Sequence, residues 1–439
     1  MPSRAPRWPA ALALFASLLG LAFGASSTFD YIKHLDRQVH DLHCSFVPGL
    51  SVAEGADTAC RTAMYSPYAA FFRDRYWGGI PISLFAVGAF AFFAAFSLYY
   101  LLAGRHAPRR APQFLLLAGV TPLLVSVGML LVSLLRLGSI CTTCAGIYVS
   151  STLLAIASIA AFVHDRREAR TDAFLGAAAP APFPPQVPLA GEAQAIAPTV
   201  IDDAPAPARR PGSPLLLLAW LTGLAIFAVT PALLYLSALP SYSSYLTGCG
   251  KLEKPTETTG ALLQVGSRGG QQATLFVDPL CPTCKALHQR LVAEGIFDQL
   301  DTTLVLFPLD SDCNWMLDRP MHKGACLVSK AILCSEHRAL SVLEWAYDEQ
   351  DALLAEANAG GGLANIQARI RTRWPGLDTC IESKQTQQRL DKMLRHAVDN
   401  KLPVSTPQMF LGDTRLCDED SDIGLAYAVT KLAPNLRPR

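Results

Sequence analysis

Two Cys-x-x-Cys motifs are the residues in this sequence best suited to chemistry, Cys281 with Cys284 and Cys141 with Cys144. Thiols at positions i and i+3 at the start of a helix can close a small disulfide. The helix dipole also favours the thiolate of the first cysteine. A readily formed thiolate is a good leaving group, which makes the disulfide more oxidising. Both motifs therefore predict thiol–disulfide exchange.

The alternatives to redox chemistry differ between the two motifs. For Cys281 and Cys284 the alternative is half of a zinc site, but no second Cys-x-x-Cys lies at zinc-ribbon spacing in that region. For Cys141 and Cys144 it is a pair of small apolar side chains packed in a helix. Tyr148 follows at helical spacing, so one helix face presents a dithiol and a phenol hydroxyl. We favour redox chemistry at both motifs and expect no bound metal.

Five long apolar stretches indicate that part of the chain lies in lipid. Only 17% of the 439 residues are charged and 51% are hydrophobic, whereas soluble chains are nearer one quarter charged. Each stretch can cross a hydrocarbon core about 30 Å thick. The stretches without Asp, Glu, Lys or Arg are 8–29, 76–104, 111–135, 137–163 and 211–250. The first could be a cleavable signal, but its length favours a retained span.

Arginines at the ends of the spans predict that the N-terminus lies inside the cell. The inner segments are then 1–8, 104–112 and 164–212, and none of them contains a cysteine. All 12 cysteines fall on the outer side, where disulfides persist. We predict a multi-pass protein of the inner (cytoplasmic) membrane with its redox sites on the periplasmic or extracytoplasmic side. The net charge of +1 gives no reason to expect a nucleic-acid partner.

Composition divides the chain into four parts. We predict a four-helix membrane domain over 1–165 and an Ala/Pro-rich cytoplasmic linker over 166–212. A fifth membrane helix with a short connector follows over 213–249. Residues 250–439 form a soluble domain that is large enough for its own core. The predicted fold class is thus an α-helical transmembrane bundle followed by an α/β domain.

The soluble region has the element order of an α/β domain. Residues 273–277 indicate a buried strand, and a helix begins at Cys281 or Pro282, since proline is favoured in the first helical turn. Over 327–400, apolar and charged residues alternate at helical spacing, and residues 408–411 then indicate a late strand. Asp278 lies in the turn before the motif. It either influences proton transfer to the thiols or serves as a turn residue before proline.

Two segments of the soluble region resemble the thioredoxin superfamily. The run Phe276-Val-Asp-Pro-Leu-Cys-Pro-Thr-Cys284 is similar to the active-site strand and helix of that family, nearest the DsbA-type branch. The run Val404-Ser-Thr-Pro407 resembles the family's cis-proline loop. The resemblance implies that Thr406 and Pro407 lie against the Cys281–Cys284 pair and help to bind the partner chain.

The membrane part resembles the vitamin K epoxide reductase family. Cys44 and Cys60 lie in the outer loop between the first two spans, a Gly-Ile-Pro run opens the second span, and Tyr148 follows the Cys141/Cys144 motif. With the soluble domain, this arrangement is similar to bacterial members of the family that are fused to a thioredoxin-like domain. The implied fold is a four-helix core with a fifth linking helix, followed by the thioredoxin-like domain.

The resemblance implies an electron relay through six cysteines. The Cys281/Cys284 pair oxidises exported proteins that carry reduced cysteines, and it exchanges with Cys60 of the loop. Cys44 then attacks Cys141, and Cys144 passes electrons to ubiquinone or menaquinone held beside Tyr148. The expected function is a membrane thiol:quinone oxidoreductase that generates disulfides, with its own thioredoxin-like domain as the partner in cis.

The resemblance also implies a structural disulfide between Cys313 and Cys326, which match a second cysteine pair of this fusion class. Four cysteines then remain in the C-terminal region, and their pairing stays open, because all six structural cysteines allow 15 connectivities and the remaining four still allow three. The leftover combination is Cys334 with Cys380 and Cys249 with Cys417.

Three other functions remain as alternatives. An outward transporter of reducing equivalents should need a cysteine reachable from the inside, and no inner segment has one. A metal-handling membrane protein is disfavoured because methionine is scarce and the nine histidines do not cluster around the Cys-x-x-Cys motifs. An epoxide reductase remains open, although the fusion favours protein disulfides as the product.

Overall fold

The computed structural model describes residues 8–35, 63–138, 140–177, 213–242, 246, 249–417 and 423–438. Within these residues the chain forms two compact units. The first unit contains the described parts of 1–30 and 83–237, and the second contains those of 31–42, 61–82 and 238–439. The predicted loop residues Cys44 and Cys60 lie outside the described residues.

The first unit is helical, and its helices are apolar along most of their length. Five helical segments of the described chain are long and apolar enough to cross a membrane, in the places where the sequence predicts the five spans. The third segment combines α3, α4 and a π-helical turn at Ser133–Leu137. The helices are α1 Trp8–Leu35, α2 Ile82–Ala103, α3 Ala111–Gly119, α4 Thr121–Val132, α5 Thr142–Ala177 and α6 Pro214–Ala238.

Aromatic rings and small residues hold the first unit together. The Phe96 ring of α2 lies 4.9 Å from that of Phe114 in α3 and 5.2 Å from that of Trp220 in α6. Gly88 of α2 lies against the backbone of α6, because a Cβ atom there would collide with the carbonyl of Phe227. Small residues at such crossings let helix backbones approach closely in lipid, where burial supplies little driving force.

A five-stranded mixed sheet forms the centre of the second unit. The strand order is β3-β5-β4-β6-β7, with β4 and β5 parallel and the other neighbours antiparallel. Helix α7 connects β4 to β5, as a parallel pair requires. The bounds are β3 Leu263–Gly266, β4 Gln271–Val277, α7 Pro282–Ala293, β5 Leu300–Leu306, β6 Gln408–Leu411 and β7 Thr414–Arg415.

A helical insertion separates β5 from β6, as the spacing of apolar residues predicts. Its buried side chains join those of the sheet in one hydrophobic core. The helices are α8 Ala325–Cys334, α9 Ala339–Asp348, α10 Gln350–Asn358, α11 Leu363–Arg373, α12 Asp378–Ile381 and α13 Lys384–Asp399, and α14 Leu425–Leu432 follows the sheet. The predicted class, a helical membrane bundle followed by an α/β domain, is confirmed.

The second unit also includes the segment that precedes α2. Strands β1 Ala70–Phe71 and β2 Ile80–Pro81 pair antiparallel in it. The Trp77 ring stacks on that of Tyr242 at 5.2 Å and meets that of Tyr427 edge-on at 6.0 Å. Part of the loop between the first two spans therefore packs within the same unit as the sheet.

Buried charges fix this segment. The Arg73 guanidinium lies 3.2 Å from the Glu294 carboxylate, which also accepts a hydrogen bond of 3.0 Å from Arg290. The three side chains are between 2% and 10% exposed, so solvent screens their charges weakly. Arg73 also donates to the carbonyl of Ser66 at 3.0 Å. One buried carboxylate therefore holds two arginines, one from the loop and one from α7.

We expect Glu294→Gln to lower the free energy of unfolding of the second unit by about 3–5 kcal/mol, because it leaves two buried arginines without their carboxylate. Arg73→Ala should cost less, because the Arg290–Glu294 pair survives. Thermal unfolding of the full chain in detergent, followed by tryptophan fluorescence, measures both. The matched control is Asp378→Asn, which breaks an exposed 2.9 Å pair with Arg371. A Glu294→Gln shift no larger than that of the control contradicts the expectation.

Candidate functional site

The second unit places Cys281 and Cys284 where a strand meets a helix. Strand β4 ends at Val277, a turn follows, and α7 begins at Pro282 with Cys281 in the capping position. Proline suits the first position of the helix, because a backbone N–H there would have no hydrogen-bond partner within the helix. Both cysteines are buried, at 4% and 1% exposure. Cys281 thus lies at the positive end of the helix dipole.

The two thiols of this motif differ in character. Its hydrogen bond with Cys284, followed by those from Thr283 and Thr406, outweighs burial and lowers the pKa of Cys281 to about 5. Burial, together with the neighbouring Cys281, raises the pKa of Cys284 well above its usual value. Cys281 is therefore the thiolate at neutral pH, which makes it the attacking and leaving group in exchange. Cys284 is suited to be the buried, resolving partner.

Thr406 and Pro407 lie beside Cys281 in the second unit. The bond between them is cis. The carbonyl oxygen of Thr406 is 3.6 Å from the Cys281 Sγ and 3.3 Å from the Thr283 hydroxyl oxygen. The Thr283 hydroxyl is also 2.9 Å from the Cys281 Sγ. The structure thus brings together four of the residues that the sequence analysis assigns to exchange and partner binding.

Three disulfides stabilise the second unit. Cys313, in the connection after β5, is joined to Cys326 in the first turn of α8, with a Cα–Cα distance of 5.8 Å. Cys249 is joined to Cys417 across 168 residues, and Cys334 to Cys380 across 46. The last two are the leftover combination among the pairings that the sequence leaves open. Neither Cys-x-x-Cys motif is bridged within itself in the structure.

The membrane motif lies at the start of α5 in the first unit. Cys141 immediately precedes the helix and is buried, with its Sγ 3.0 Å from the Thr143 hydroxyl. Cys144 and Tyr148 are half-buried, one helical turn apart. The spacing places these side chains on one face of the helix, as the sequence predicts. A π-helical turn, of a kind often found at functional sites, ends the preceding span.

Sequence reasoning missed two charged groups of the second unit. His322 contacts the buried Asp278 with its Nδ1 atom 2.8 Å from the Asp278 Oδ2 atom. Arg73 lies in the loop between the first two predicted spans, and its side chain is buried against Glu294. No periodicity marks either residue, and only the Cys313 and Cys326 pair around His322 could have drawn attention to that loop. In the described chain, no group of three or more His, Cys, Asp or Glu could hold a metal ion.

We expect Cys281 to be alkylated as a thiolate across the neutral range. With a pKa of about 5, roughly 99% is thiolate at pH 7, against a few per cent for an ordinary thiol. Cys284→Ala should raise the pKa of Cys281, because it removes the largest stabilising hydrogen bond, and Cys284→Ser should raise it less. The measurement is the pH dependence of iodoacetamide labelling of the reduced chain, resolved by peptide mass spectrometry. Labelling of Cys281 that rises only above pH 8 would contradict this account.

Comparison with known proteins relates the N-terminal third of the chain to a known family. Residues 11–159 match the model of the vitamin K epoxide reductase family. A search of solved structures finds a linker-deletion mutant of Proteus mirabilis ScsC, 17% identical, with a TM-score of 0.27. That match covers 40% of this chain and 76% of that chain. No curated protein matches the sequence significantly. The family match confirms the resemblance drawn from the membrane motif, and the sheet order with a Cys-x-x-Cys motif at a helix start gives the second unit its thioredoxin-like character.

Proposed function

We propose, from the premise that residues 11–159 form a domain of the vitamin K epoxide reductase family, that this membrane oxidoreductase generates disulfide bonds in exported proteins and passes their electrons to quinone. The observation that carries the proposal is the pair of dithiol motifs, one in each unit, each at the start of a helix. The proposed location is the inner membrane, with the redox sites on the extracytoplasmic side.

The difference in pKa between Cys281 and Cys284 supports the first exchange. A substrate thiolate attacks the Sγ of Cys281 in the Cys281–Cys284 disulfide, and Cys284 leaves and takes a proton. The second substrate thiolate then attacks the substrate sulfur of the mixed disulfide, and Cys281 leaves as a stable thiolate. The substrate loses two electrons and two protons and gains a disulfide, while the motif becomes a dithiol. A low pKa at Cys281 favours this direction, because the better leaving thiol is expelled.

Chain reach supports the second exchange, from the reduced motif to the loop. The Arg290 guanidinium lies 5.9 Å from the Tyr65 ring, so Tyr65 lies against α7. Cys281 precedes Arg290 by nine residues, or about 14 Å along the helix. Cys60 precedes Tyr65 by five residues, which span at most about 17 Å. In the proposed step the Cys281 thiolate attacks Cys60 of a Cys44–Cys60 disulfide, and Cys284 then resolves the bond.

The first unit supplies the chemistry for the last exchange. Cys44 attacks Cys141 of the Cys141–Cys144 disulfide, and Cys144 leaves as a thiolate. Cys60 then attacks Cys44, so that the Cys44–Cys60 disulfide re-forms and Cys141 leaves as the second thiol. The half-buried Tyr148 on the same helix face can donate a phenol hydrogen bond to a carbonyl oxygen, and exposed apolar side chains such as Val149 suit a lipid-soluble ring. These residues fit a quinone, ubiquinone or menaquinone, which accepts two electrons and two protons when it is bound.

We expect Cys141→Ser and Cys144→Ser each to reduce thiol-driven quinone reduction to the uncatalysed rate, because either change removes the membrane disulfide. Anaerobic absorbance assays of the purified full chain with a reduced protein substrate and a short-chain ubiquinone or menaquinone measure this. Thr152→Ala is the matched control, since Thr152 is exposed two turns further along α5 and its hydroxyl bonds only within the helix. Substantial turnover in either cysteine variant would refute the relay, and so would a parent chain that is inert towards both quinones.

A further inference from the structure

The carboxylate of Asp278 lies directly behind the Cys281–Cys284 motif. It is fully buried and accepts hydrogen bonds of 2.7 Å from the backbone N–H groups of Leu280 and Leu309. The backbone N–H of Asp278 donates to the Cys284 Sγ at 3.5 Å. A buried negative charge at this place opposes formation of a second negative charge on either sulfur. A positive charge close to Asp278 therefore favours ionisation of the motif.

His322 supplies a cation at that position. Its Nδ1 atom donates to the Asp278 Oδ2 atom at 2.8 Å, and its side chain is 15% exposed, so the ring is in reach of solvent protons. Burial opposes the imidazolium, but the hydrogen bond to Asp278 and the charges of Asp278 and Cys281 outweigh it and raise the pKa of His322 above its usual value. By reciprocity, the imidazolium favours the thiolate of Cys281.

The loop that carries His322 is fixed from both sides. The backbone N–H of His322 donates to the carbonyl of Leu309 at 3.0 Å. The buried carboxylate of Asp310 accepts from the backbone N–H groups of Gly324 at 2.9 Å and Cys326 at 3.2 Å. The disulfide from Cys313 to Cys326 closes the loop around the histidine. The imidazole therefore meets Asp278 in a preformed geometry, with little ordering required when the thiolate forms.

We propose that His322 is a positioning residue of the Cys281–Cys284 motif: its imidazolium neutralises Asp278, so that the Cys281 thiolate forms beside a neutral ion pair. The inference rests on the proposed function only for the use made of that thiolate, since the electrostatic effect exists without a quinone or a substrate. Its consequence is a more oxidising disulfide, because whatever stabilises the reduced form of the motif drives its reduction.

The charged groups around His322 are few. Those that act on its imidazole are Asp278 after β4, Asp310 after β5 and Cys281 at the start of α7. The phenol of Tyr347 in α9 interacts with Asp278 and with both cysteines of the motif. In the sequence, Asp318, Arg319 and Lys323 flank the histidine, and their side chains are exposed. The buried acids Asp278 and Asp310 thus dominate its surroundings. His322 contributes while it is protonated, and its contribution disappears as the pH rises through its raised pKa.

The test compares His322→Ala with His322→Asn in the full chain. Alanine removes both the charge and the hydrogen bond, whereas the amide of asparagine can keep the hydrogen bond to Asp278 without the charge. We expect both variants to raise the pKa of Cys281, read from peptide-resolved alkylation, so that its thiolate fraction near pH 5 falls about tenfold or more. The equilibrium with glutathione should shift by a similar factor towards the Cys281–Cys284 disulfide. The exposed His337→Ala is the matched control.

Removing the charge of Asp278 as well distinguishes an electrostatic effect of His322 from a folding defect. In His322→Ala, the further change Asp278→Asn should restore the thiolate fraction of Cys281, because the pair of changes leaves no uncompensated carboxylate. The inference would be overturned if His322→Ala left both the pKa of Cys281 and the glutathione equilibrium unchanged. It would also be overturned if adding Asp278→Asn to His322→Ala did not restore the thiolate fraction of Cys281. Neither readout involves quinone. Loss of this effect with intact quinone reduction therefore contradicts only the role of His322, whereas the reverse pattern contradicts only the proposed relay.

Discussion

The hydrogen bond that Cys284 gives to the Cys281 thiolate is the interaction on which the chemistry of the second unit depends. It makes one sulfur of the motif an anion and leaves the other a buried thiol. The surrounding elements serve this difference. Strand β4 delivers the motif to the start of α7, the helix dipole adds to the stabilisation, and the Thr283 hydroxyl lies 2.9 Å from the Cys281 Sγ. If the two thiols had equal pKa values, an incoming thiolate would have no preferred sulfur to attack.

A second constraint is the burial of charge in the same unit. Glu294 holds two arginines at one end of α7, and Asp278 holds His322 at the other. Each of these carboxylates is almost inaccessible, so its partners cannot be replaced by water without a large cost in free energy. The first group keeps the loop segment within the unit, and the second adjusts the charge around the motif. The helix that presents Cys281 therefore has a cluster of buried charges at each end, and the two clusters have different roles.

Much of this arrangement could be predicted from local sequence patterns. The five spans follow from runs without charged residues, and the helix start at Cys281 follows from strand, turn and proline in succession. The family match at 11–159 agrees with the cysteine spacing of the membrane motif. Each of these features is determined by residues that lie close together in the sequence, so local patterns are sufficient to predict it.

Contacts between distant residues could not be predicted in this way. Arg73 and Glu294 are 221 positions apart, and His322 reaches Asp278 across 44. Their charges look like solvated loop residues until the fold buries them. The pairing of four cysteines also stayed open, because spacing does not decide among connectivities. The pair Cys44 and Cys60 lies outside the described residues, and its place in the relay remains a proposal.

The most direct test of the account is the identity of the sulfur that Cys281 attacks. In the full chain with Cys284→Ala, the Cys281 thiolate can form a mixed disulfide that no neighbouring thiol resolves. Mass spectrometry of non-reduced peptides should find Cys281 joined to Cys60, and the additional change Cys60→Ala should abolish that species. Cys281 joined only to other polypeptides, with Cys44 and Cys60 still bound to each other, would contradict the transfer of electrons from the thioredoxin-like domain into the membrane unit.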